Sequence, residues 1–170
     1  DPVLPPLLQA LIGSDDADNA ALAKGFLAAQ VRFLQSVQRM ELPLNELPAR
    51  LFDRACAIMK DCLPPEDGEI AEEALDGLRA AMDEETSRIG LVSRLVRGIG
   101  GGATPALSIE HAGVTIFLAA LSSGSGLPRD VAVLSTADGE QVRLALALIA
   151  AGLEPAPVKA QMLALNPDAA

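Results

Sequence analysis

Tryptophan and tyrosine are absent from this chain of 170 residues, only four phenylalanines occur, and there are two cysteines and one histidine. Each shortage removes a class of function. Without a set of aromatic rings there is no platform on which unpaired bases could stack. The 23 acidic residues outnumber the 13 basic ones, and the resulting net charge of −10 repels a phosphate backbone. Nucleic-acid binding is therefore not expected. Cys56 and Cys62 stand six residues apart, about 240° around a helix. They face different ways and read as small core fillers of a reducing compartment, not as a disulfide or metal pair. One histidine and no cysteine cluster exclude the common zinc sites. Long apolar runs are missing too: Ala112–Leu121 and Leu144–Leu153 reach only about ten residues, half of the roughly 20 that a bilayer span requires. No transmembrane segment is expected.

What the chain has instead is 30 alanines and 27 leucines, about a third of its length. These are strong helix formers, and no stretch alternates β-branched residues between turns as a strand requires. The expected fold class is all-α: a bundle of three long amphipathic helices followed by a compact array of short ones. A mean hydropathy of +0.30 with 21% charged residues is apolar for this length. Either alanine accounts for it, or some apolar surface is covered by a protein partner or a second copy. The chain opens at Asp1 rather than at a methionine, consistent with its being a piece of a longer protein.

Along the chain, Leu7, Leu8 and Leu11 suggest a short leading helix, ended by Gly13-Ser14-Asp15-Asp16, which also offers an N-cap for the next. From Asp18 to Met40 the apolar positions Leu22, Phe26, Ala29, Phe33, Val37 and Met40 recur at steps of three and four, one face of a long helix. Asn45 is placed to cap a helix with Pro48 in its first turn, whose buried face reads Leu47, Leu51, Ala55, Ile58 and Cys62. Pro64-Pro65 stops it. The segment from Glu66 to Ile99 is acidic early and basic late, which suits the dipole of one long helix, or of two broken near Asp83. Ile70, Ala74, Leu78, Ala81, Val92 and Val96 are expected to face inward, with Gly77 and Gly90 as weak points. A glycine hinge at residues 98–102 divides a long-helix bundle, residues 1–99, from a short-helix subdomain, residues 103–170, with one continuous domain as the alternative. The expected short helices are Pro105–His111, Val114–Ser122, Pro128–Ser135, Gly139–Ala151 and Pro157–Leu165. Phe117 and Leu121 are expected to anchor them against Val131, Leu134 and the Leu144–Leu148 stripe.

Few residues suggest chemistry. The glycine run follows a helix, so it lacks the preceding strand of a dinucleotide fingerprint. Ser122-Ser123-Gly124-Ser125-Gly126 is not the Gly-x-Ser-x-Gly of a nucleophile elbow and reads as a loop. The acids from Glu66 to Glu85 lack calcium-loop spacing and read as a solvated helix face. Arg88, Arg94 and Arg97 could hold an anion or an acidic partner, but complementing the helix end is the favoured reading of them. His111 is the one alternative phosphoacceptor, but no lysine follows it and Glu110 precedes rather than follows it. No catalytic, metal or cofactor-binding set is assigned, and no cofactor is implied.

The order Thr104-Pro105 with Leu107, Gly113 with Phe117 and Ala119-Ala120-Leu121, Gly126-Leu127-Pro128 with Val131 and Leu134, Asp138-Gly139, and Ala150-Ala151-Gly152-Leu153 resembles a known pattern. It is similar to the C-terminal part of an uncharacterised bacterial all-helical, HEAT-like family, domain-of-unknown-function family 2336. The polar residues usual around that family's central glycine and Phe are replaced by His111, Val114 and Leu118. The resemblance implies stacked short helices, an interaction or regulatory role in the cytoplasm, and no catalytic residue. The expected function is thus a non-enzymatic protein-interaction or regulatory module working with a protein partner or as a homo-oligomer. The alternatives are histidine phosphotransfer through His111 and a small-ligand or lipid-binding helical bundle, which needs an enclosed apolar cavity.

Overall fold

The computed structural model describes residues 4–64, 67–100, 104–137 and 139–166. Its regular structure among those residues is entirely helical, with no strand. In order the helices are α1 (Pro6–Ile12), α2 (Ala17–Gln38), α3 (Ala49–Cys62), α4 (Gly68–Ala81), α5 (Arg88–Gly98), α6 (Ile109–Ser125), α7 (Arg129–Leu134), α8 (Gln141–Ala150) and α9 (Pro155–Leu165). Short 3₁₀ turns occupy Leu44–Glu46 and Thr104–Leu107. The chain forms two compact units, Asp1–Gly25 with Val92–Ala170, and Phe26–Leu91, so the divisions fall within α2 and within α5. The glycine run at 98–102, expected as a boundary, begins inside the first unit, and residues 101–103 lie outside the described residues.

In the first unit α1, α7, α8, α9 and the Thr104–Leu107 turn all pack on α6. The cause is composition: Ile116, Phe117, Ala120 and Leu121 on α6 are at most 1% exposed, as are Leu107, Leu144 and Leu148 around it. Each large side chain so buried contributes about 1.5–3 kcal/mol. Gly113 has φ +74° and ψ 160°, which breaks the start of α6, and a Cβ there would stand 2.7 Å from Pro5 Cγ. The expected break between two short helices therefore exists, but as a kink inside one element. The backbone N–H of Ile109 donates to Gln161 Oε1 on α9 (2.9 Å), giving a first-turn donor the partner it lacks within its own helix. Asp16 supplies the expected cap of α2, its Oδ1 accepting from the N–H groups of Asp18 and Asn19 (3.0 and 3.1 Å).

Several expected details are corrected. The Glu66–Ile99 segment is two helices, α4 and α5, as the alternative break near Asp83 foresaw; four helices thus stand where three were drawn. At the break Ser87 Oγ accepts from Gly90 N–H (3.0 Å) and donates to the Glu84 carbonyl (2.7 Å). A Cβ on Gly90 would run into that Glu84 carbonyl oxygen, so this glycine admits the turn and is not a weak point. The loop expected at Ser122–Gly126 is helical through Ser125, and Ser122 Oγ donates to the Leu127 carbonyl (2.7 Å). Leu134 is 57% exposed, while Ala132 of α7 and Ser135, which caps its C-terminus, are the buried residues there. On α2 the inward stripe holds at Phe26 and Ala29 but not at Val37, which is 50% exposed, nor at Met40, which lies past the helix end with φ +58° and is 96% exposed.

The second unit is a smaller assembly. Antiparallel helices α3 and α4 form a hairpin around Phe52, Cys56 and Leu75, with Leu44, Leu47, Leu78 and Met82 packed beside them. Pro48 precedes α3 as its N-cap residue, and Asn45 falls within the 3₁₀ turn before it. Leu47 and Leu78 pack on the core and Val92 and Val96 are buried, as expected, but Leu51, Ala55, Ile70 and Ala74 each stand one residue before a buried one. Leu51 and Ile58 are 55% and 49% exposed and Cys62 is exposed, while Phe52 and Cys56 are buried. On α4, Ala71 and Leu75 are buried whereas Ile70 is 70% exposed and Ala74 is exposed. The side chain of Ala81 lies outside the described residues. Both helices carry two adjacent apolar stripes, and packing selects the one holding the larger groups: Phe52 on α3, Leu75, Leu78 and Met82 on α4.

Candidate functional site

The arginines singled out in the sequence do not converge. They lie six and three residues apart on α5, about 240° and 300° around its axis. Arg88 is engaged from several sides. Its Nε donates to Glu46 Oε2 (2.9 Å), Nη1 donates to Gln30 Oε1 (3.3 Å), and the guanidinium lies 4.1 Å from the centroid of the Phe33 ring. The side chains of Arg88 and Glu46 are 13% and 8% exposed, so this is a largely desolvated pair. It ties the Leu44–Glu46 turn to α2 and to the first turn of α5, and a recess of about 190 Å³ beside it is lined by Arg32, Ser36 and Thr86. Such an arrangement holds structure together. Arg97 is exposed, with Nε donating to the Ser93 carbonyl (3.4 Å), and Arg94 is half-buried.

His111 is half-buried in the first turn of α6, its backbone N–H donating to the Ser108 carbonyl (3.1 Å). Among the described residues no group of His, Cys, Asp and Glu is gathered as a metal ion requires, and no helix is long and apolar enough to cross a membrane. The acidic side chains of α4 and of the following turn stand exposed, as a solvated face would.

Two apolar surfaces carry more information. On α8, Leu144, Ala147 and Leu148 are buried, yet Val142, Leu146 and Ile149, also at helical spacing, are 74%, 62% and 53% exposed. A helix apolar all round is ordinarily covered all round. Beside it an open groove of about 510 Å³ runs past Ser125, Leu127, Glu140, Arg143, Ala147 and Ala150.

The second surface belongs to the α3–α4 hairpin. Leu51 and Ala55 each precede a buried residue of α3, as Ile70, Ala74 and Gly77 each precede an inward residue of α4. In an antiparallel pair, positions one step before the contact stripe of either helix fall on the same side, and positions one step after fall on the other. The second side is marked by the ion pair of Lys60 with Glu72, which bridges the helices there, and by Asp53, Asp76 and Arg79. One side of the hairpin is therefore charged and the other apolar. A Cβ added at Gly77 would meet no atom within 4 Å, so that side is open. Sequence reasoning found these residues but buried them; burial of the neighbouring stripe is the signal it lacked.

Comparison with protein-family models, with curated proteins and with solved structures returns no match to this chain.

Proposed function

We propose that this chain is a non-enzymatic protein-interaction or regulatory module of the cytoplasm, working through apolar helical faces that receive a protein partner or another copy of itself. The observation that carries the reading is the exposed row Leu51, Ile58 and Ile70 on the hairpin, matched by Val142, Leu146 and Ile149 on α8. Apolar side chains at helical spacing on a presented face are what a docking helix reads, through anchors at i, i+3, i+4 and i+7. Phosphotransfer through His111 and ligand storage have less support: the imidazole is half-buried, and the groove beside α8 is open rather than enclosed.

The test is a photo-crosslinking amino acid placed at position 58 or 146, with position 53 on the charged side of the hairpin as control. The reading expects a crosslinked protein, foreign or self, from 58 or 146 and none from 53. Equal labelling at all three positions, or none at any, contradicts it.

A further inference from the structure

We draw no further inference here: the strongest candidate, the exposed apolar side of the α3–α4 hairpin with Leu51, Ile58 and Ile70, carries none, because nothing in the structure shows what covers it.

Discussion

In the first unit a single helix is surrounded: α6 meets α1, α7, α8, α9 and a 3₁₀ turn, and Phe117, Leu121, Leu144 and Leu148 have no measurable exposure. In the second unit the hairpin core comprises Phe52, Cys56 and Leu75, and a mostly buried ion pair between Arg88 and Glu46 supplements it. One unit is organised by apolar area, which is non-directional and tolerates no polar intruder. The other combines a thin core with a directional polar clasp and leaves a whole apolar side of its hairpin in contact with solvent. It is on this uncovered apolar face that the proposed interaction role rests.

The comparison can be broken at its strongest point first. Phe117→Ala should cost about 3–5 kcal/mol, read from the denaturant midpoint, as truncation of a buried aromatic does. A cost below about 1 kcal/mol would mean that α6 is not the organising element of its unit. Next, Glu46→Gln leaves the Arg88 guanidinium without its counter-charge and should cost about 1.5–3 kcal/mol. Amide exchange should accelerate in α3 and α4 and leave α6 unaffected. Replacing both partners by leucine should cost less than removing either alone, because no charge is then stranded. Third, Gly113→Ala forces a side chain into φ +74° against Pro5 and should lose about 1–2 kcal/mol. The smallest effect is favourable. Gly77→Ala, in an exposed helix interior with open space above it, should raise stability by about 0.5–1 kcal/mol; a loss there would mean that the hairpin face is already covered in the isolated chain.

Much of the fold was legible because its signals are local. The alanine and leucine content specifies helices, Asp16 caps α2 where its neighbours suggested a cap, and Gly113 breaks α6 between the two short helices that were expected. What could not be read depends on partners distant in the chain. Stripes one position apart, Leu51 with Ile58 or Phe52 with Cys56, have equal periodicity, and only the packed hairpin decides between them. Gly90 reads as a helix weakness until the Glu84 carbonyl is found against it. Arg88 is visible as a charge, but Glu46, 42 residues earlier, is not visible as its counter-ion. The exposed apolar side of the hairpin was hidden for the same reason: its residues look like core.

The account therefore turns on whether the hairpin's apolar side faces solvent in the dilute chain. Methyl-resolved NMR with a soluble paramagnetic agent tests this directly. The methyl signals of Leu51, Ile58 and Ile70 should be strongly attenuated at low protein concentration, and those of Leu75, Leu144 and Leu148 should be untouched. If Ile58 and Ile70 are as shielded as Leu75 in the dilute monomer, the face is internal and the account is wrong.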